Sequence, residues 1–384
     1  MKSKNTLTIT DYKILGTLPN PFVKKDGSLV ASKSEWSSQR EYLKEFAVTL
    51  QFGDVLPSPD FLDVELLSVG KSQINCKIHT GTSKKRFSFL MRILIPEHKK
   101  SPYIIDGDLC SGYVYEDGFI STALENGVGW VLFDRTELAH DNKDEGRKGP
   151  LFDAYPDYDF GTIMAWAWGY SRCVDALYKL NLPEVDLSCL SFIGHSRGGK
   201  AALLAGVLDE RPFLVNPNEA CLGGGGCYRV SCVGDYKNYS PWPSETLKDI
   251  LTDTGYWFSD NMKSYVGREN ALPFDAHYMK ALVAPRILLV SEAVGDIWAN
   301  PVGSWHTTMA AQEVFDYLEA GDHLYWYYRE GLHHHSAYDV MMLVNIIRHY
   351  LYNDDLHDGF FEASFDKPCR IYDWENPNDS EETK

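Results

Sequence analysis

The chain has 384 residues, 44% hydrophobic and 24% charged, and carries a formal charge of −17. That length buries one large core, so a single α/β catalytic domain with decorations is expected rather than two independent domains. The acidic balance, with no cluster of Lys and Arg, excludes nucleic acid and anionic membranes as partners, because phosphates reward clustered cations.

The start, MKSKNTLTITDYKILG, is basic but lacks the apolar stretch of a secretory signal, and no later segment is apolar for long enough to span a bilayer. The eight cysteines, among them Cys76, Cys110, Cys173, Cys189 and Cys369, lack zinc-type spacing. Several sit in apolar runs, where a reduced thiol packs as a small hydrophobe. A cytoplasmic, mostly reduced chain is expected.

Residues 1–60 hold Pro19, Pro21, Asp26 and Gly27, then Trp36, Leu43, Phe46 and Leu50 at helical spacing. They read as an N-terminal arm with one helix packed on the main domain. Residues 61–360 alternate short apolar runs (FSFLMRILIP, GVGWVLFDR, LSCLSFIGH, PFLVNPN, RILLVSEAVGD, HLYWYYREG) with helical segments such as TIMAWAWGYSRCVDALYKL and RGGKAALLAGVLD. Strand and helix alternating with short connections predicts a three-layer αβα sandwich around a mainly parallel sheet. Residues 361–384 form a tail, acidic and expected to be disordered from about 374.

One turn carries the chemistry. The predicted strand ending at Ile193 runs into Gly194, His195, Ser196, Arg197 and Gly198, and then a helix. This is G-x-S-x-G in the strand–turn–helix setting of the α/β-hydrolase fold, where crowding around the serine demands neighbours without side chains. A serine hydroxyl needs a base, which in this fold follows it in chain order. The run Gly331, Leu332, His333, His334, His335 lies in the loop after the last predicted strand. Consecutive histidines diverge, and neither H-E-x-x-H nor a carboxylate ligand motif accompanies them, so no metal is expected.

Two acids compete to orient the base: Asp296 beyond RILLVSE and Glu219 beyond PFLVNPN. Glu292, at a strand end, reads as structural. The backbone N–H of Arg197 is the expected oxyanion donor, its guanidinium a second, and Lys200 stands one helical turn beyond Ser196. Trp257 and Trp298 are candidates to stack on a sugar ring, whereas Trp166 and Trp168 read as packing. Gly223 to Gly226 lack the K-[ST] of a phosphate loop and read as a flexible loop beside the site. Asp141 to Gly146 lack the distal glutamate of a calcium loop and read as solvated. The chemistry calls for no cofactor.

Taken together, GHSRGGKAALLAG, YPDYDFGTIMAWAWGYSRCVDAL upstream and ALPFDAHYMKALVAPRILLV downstream resemble the glucuronoyl esterases, carbohydrate esterase family fifteen. The arm LPNPFVKKDGSLVASKSEWSSQR is also similar to that family's start. The resemblance implies Ser196 as nucleophile, Arg197 at the oxyanion, and Lys200 on the uronate hydroxyls. It implies His333, through G-x-H followed by Tyr338 and Asp339, as the base. Glu219 resembles the acid of some members and Asp296 that of others. Departures are a longer glycine run and Tyr228 where a tryptophan is common. The implied substrate is a (4-O-methyl)glucuronate or related uronate ester, a small molecule or oligosaccharide. The alternatives are an esterase of another acyl group, such as a sugar acetyl esterase, and a silent sugar-binding relative.

Overall fold

A computed structural model describes residues 12–97, 100–232, 243–363 and 369–378. Its strands in chain order are β1 (Tyr12–Ile14), β2 (Phe61–Val69), β3 (Gln73–Gly81), β4 (Arg86–Leu94), β5 (Ser101–Asp106), β6 (Gly129–Phe133), β7 (Val185–His195), β8 (Leu214–Asn218), β9 (Val230–Cys232), β10 (Ile287–Ala293) and β11 (Leu324–Arg329). Nine of them form one sheet in the order β11-β10-β8-β7-β5-β6-β4-β3-β2. Pairings from β6 through β11 are parallel, and those joining β2, β3, β4 and β6 are antiparallel.

Strand residues alternate between two cores because successive side chains leave opposite faces. Ile105, Val131, Phe133, Phe192, Leu288 and Val290 join the larger core, covered by the helices Thr162–Leu180, Arg197–Leu208 and Pro301–Tyr317. Ile104, Trp130, Leu132, Ile193 and Leu289 join the other, under Phe119–Glu125 and Ala337–Tyr352. Over its parallel part the sheet is covered by helices on both faces, which leaves the strand ends for chemistry.

The six apolar runs picked out in the sequence overlap β4, β6, β7, β8, β10 and β11. The same reading passes over β2, β3 and β5. In β3 the buried residues Ile74, Cys76, Ile78 and Thr80 alternate with half-exposed ones, a period-2 signal diluted by polar neighbours. The arm carries the helix Trp36–Lys44, continued by a π-helical turn Glu45–Leu50. Its Arg40 donates to the carbonyls of Val207 and Leu282.

The expected disorder from residue 374 fails for 374–378. Trp374 is buried and donates its indole N–H to the Leu18 carbonyl at 2.9 Å, and Asn376 is also buried. An apolar triplet, Ile371, Tyr372 and Trp374, outweighs the acidic residues around it. Residues 379–384, like 1–11, lie outside the described chain.

Candidate active site

β7 ends at His195, and the chain turns through Ser196 into the helix Arg197–Leu208. Ser196 adopts φ 55° and ψ −118°, a conformation that β-substituted residues avoid. Two glycines allow it. A Cβ on Gly194 would stand 2.3 Å from the Gly198 carbonyl oxygen, and one on Gly198 would stand 2.2 Å from the Asp108 carboxylate. The turn is held by the Ser196 N–H on the Asn218 carbonyl at 2.9 Å and the His195 N–H on Asp108 at 2.9 Å. Behind Ser196 the first helical N–H groups, Arg197's among them, have no intrahelical acceptor and favour a negative charge there. In the loop after β5, another usual source of donors in this fold, the N–H groups of Gly107, Asp108 and Leu109 are spent on Tyr170, Asp106 and Phe133.

The neighbouring parallel strands β7, β8, β10 and β11 deliver Ser196, Glu219, Asp296 and His333 from their carboxyl ends, one from each. His333 Nδ1 donates to Asp296 Oδ2 at 2.5 Å, while Glu219 Oε2 stands at 3.2 Å from the same nitrogen. Asp296 is therefore the closer partner. Glu219 is occupied elsewhere: Oε1 accepts from Arg329, and Oε2 accepts the His334 N–H at 3.2 Å. Arg329 also donates to Asp339 at 2.8 Å and to the His334 carbonyl, so it clamps the histidine loop. With Nδ1 committed, Nε2 is the nitrogen of His333 left to exchange a proton, and it accepts one only in the neutral ring. Its ring lies 4.4 Å from that of His195, the residue beside the serine.

Burial pulls the His333 imidazole down, but Asp296 and Glu219 outweigh it and hold the group up at about 10. Burial pushes the Glu219 carboxyl above its ordinary range, opposed by His333 and Arg329. The other two histidines of the run serve differently. His334 pairs with Glu116 at 3.2 Å, and His335 is fully buried among Tyr113, Phe119 and His195, where burial lowers it to about 3.

Arg197 is exposed, and its guanidinium is held by Asp141 Oδ2 at 2.8 Å and by the Trp257 ring 4.8 Å away. Asp141 also accepts from Tyr256 at 2.8 Å and Trp257 at 3.1 Å. It is thus part of the site and no solvated loop residue, a role without a local sequence signal. Trp257 is only 5% exposed, packs on Trp166, and lies under Arg197. Its visible task is to seat the arginine rather than to offer a sugar a free face. Lys200 is buried, with Nζ on the Ala220 carbonyl at 2.8 Å. Glu245, also missed in the sequence, is raised by burial to about 7 against the pull of Lys200. Its N–H binds the carbonyl of Trp298, which is half-buried two residues beyond Asp296.

Gly223 to Gly226 are all buried, so the glycine run is a packed turn and not a flexible loop. Two sets of possible metal-ligand atoms converge, His195 with Glu219 and His333, and Cys221 with Asp296 and His333. Both depend on His333, whose Nδ1 is already bound to a carboxylate.

A family model described as glucuronyl esterase, fungi, matches residues 78–319. The 4-O-methyl-glucuronoyl methylesterase 1 of Phanerochaete chrysosporium is 32% identical over 327 residues, covering 84% of this chain and 66% of that protein. The 4-O-methyl-glucuronoyl methylesterase of Hypocrea jecorina is 29% identical over 362 residues, covering 93% and 75%. This chain therefore spans only part of those relatives' lengths. A solved glucuronoyl esterase of carbohydrate esterase family 15 from Caldicellulosiruptor kristjansonii superposes with a TM-score of 0.83 at 28% identity, over 94% of this chain and 98% of that one. The α/β-hydrolase architecture, the serine turn between two glycines and a match over most of the chain agree, and the chain belongs to the glucuronoyl esterase family.

Proposed function

We propose that this protein hydrolyses esters of (4-O-methyl)glucuronate or a related uronate, on a small molecule or an oligosaccharide, by two acyl transfers through Ser196. In its neutral form, His333 takes the serine proton through Nε2 as the oxygen attacks the ester carbonyl. Asp296, the nearer carboxylate on Nδ1, stabilises the imidazolium, and Glu219 steadies the loop from its bond to Arg329. The oxyanion is met by the Arg197 N–H at the helix start and by the guanidinium that Asp141 and Trp257 hold in place. His333 then protonates the leaving alcohol. Water, deprotonated by the same imidazole, attacks the acyl-serine, releasing the uronic acid and restoring Ser196.

The observation that carries this reading is the delivery of nucleophile, acids and base from four neighbouring strand ends, with an arginine fixed beside the serine. Lys200, Glu245 and Trp298 are the groups this reading assigns to the sugar's hydroxyls and face. The names of the relatives support a uronate as the acyl group. The test compares benzyl glucuronate with 4-nitrophenyl acetate. Preference for the glucuronate, lost in Ser196→Ala, is expected; preference for acetate would move the assignment to another acyl group. Absence of turnover and of fluorophosphonate labelling, with sugar binding intact, would mark a silent relative.

A further inference from the structure

Beside the acids lies a polar cluster that the reaction described above does not use. Lys280, on the helix Ala276–Ala281, is fully buried. Its Nζ donates to the Ser304 carbonyl at 2.9 Å and to the hydroxyls of Thr307 and Thr308, each at 2.8 Å. The Ser304 hydroxyl is a fourth acceptor at 3.2 Å, so the three protons of the ammonium are fully satisfied. The Thr307 hydroxyl is 2.8 Å from the Gly225 carbonyl, in the packed glycine turn that follows Glu219. The Ser304 hydroxyl donates to Glu292 Oε1 at 2.7 Å. Glu292 is 1% exposed, and its Oε2 has no hydrogen-bond partner among the described residues. A buried carboxyl with a bare oxygen is costly, and such cost is commonly retained where it serves a site.

The position of Glu292 explains what it can serve. It stands one residue before the end of β10, four before Asp296. Between them the Val294 N–H binds the Arg329 carbonyl at 2.9 Å and the Gly295 N–H binds the Gly331 carbonyl at 3.0 Å. The end of β10 is thereby stitched to the loop that carries His333.

We propose that Glu292, anchored by Ser304 and the Lys280 network, is a positioning residue that fixes the 292–296 turn and adds a third carboxylate to the field holding the proton of His333. The sequence alone suggested no more than a structural role. This inference rests on the reading of Ser196 and His333 as nucleophile and base. The titratable groups that face Glu292 are Lys280 from its helix, Asp296 from its own turn and His333 from the histidine loop, together with Tyr328 from β11 and Cys221 ahead of the glycine turn, both kept neutral by burial. Burial pushes the Glu292 carboxyl up, against Ser304 and Lys280. In its ionised form the carboxylate tightens the hold on the His333 proton.

The test is the pH profile of kcat/KM on benzyl glucuronate for wild type, Glu292→Gln and Ser304→Ala. Removing the carboxylate charge lowers the affinity of His333 for its proton, so the acid limb of Glu292→Gln should move to lower pH by about half a unit, with KM within about twofold. Ser304→Ala leaves the carboxyl but removes its donor, and should shift the limb the same way by less. A purely structural role lowers kcat or stability across the whole range without moving the limb, and an unmoved limb in both variants overturns the proposal. If Glu292→Gln does not fold, the Ser304→Ala limb decides alone. Turnover that survives Ser196→Ala would instead sink the reading of the site itself.

Discussion

At the nucleophile turn, between Gly194 and Gly198, position is set by contact: a single added methyl at either glycine collides with backbone or with Asp108. On the carboxylate side of His333, position is set by charge, with Asp296 at 2.5 Å and Glu219 at 3.2 Å. The first region has one solution and no substitute. The second has two carboxyl groups on one imidazole nitrogen, so it tolerates loss in proportion to distance.

The largest effects should come from the two groups without a substitute. Ser196→Ala or His333→Ala is expected to lower kcat by about 10⁵-fold or more, measured on a uronate ester, since groups acting as a unit fail together. Asp296→Ala should cost about 10³–10⁴-fold and Glu219→Ala about 10–10²-fold, following their separations from Nδ1. Equal losses, or the reverse order, would break the comparison. Gly198→Ala comes next, with about 10²-fold lower kcat and a destabilisation of about 1–3 kcal/mol by urea titration, because the new methyl has no room. Asp141→Asn should have the smallest effect, about tenfold in kcat/KM, as the arginine keeps its tryptophan but loses its anion.

A pH experiment sharpens the same contrast. His333 is held above its ordinary value of 6.5, at about 10, by its carboxylates. The stabilisation from that ion pair is therefore fully present below pH 6.5 and lost as pH rises through about 10. Wild type should exceed Asp296→Asn in urea midpoint near pH 6 and approach it near pH 10. A constant gap would mean that the aspartate acts through geometry alone.

The contrast also explains what could be read in advance. Steric necessity leaves a mark in sequence: glycines at 194 and 198 announce the serine, and strand–helix alternation announces the sheet. Electrostatic partnership leaves little, because its members meet only after folding. Asp141 lies 56 residues from the arginine it holds, and nothing around Glu245 hints at Lys200. Both acids were visible as candidates, but their ranking needed distances. β2 was overlooked for a physical reason too, since most of its residues face solvent and carry no buried periodicity.

Trp374 joins two parts of the chain that are remote in order. Its indole binds the carbonyl of Leu18, and its ring lies beside Phe22, His277 and Tyr372. Neither segment has a full set of neighbours without the other, so release of one should loosen the other. A protease cut ahead of Ile371 would then appear as new cleavage around residues 18–22, although Leu18 and Trp374 are 356 positions apart in sequence.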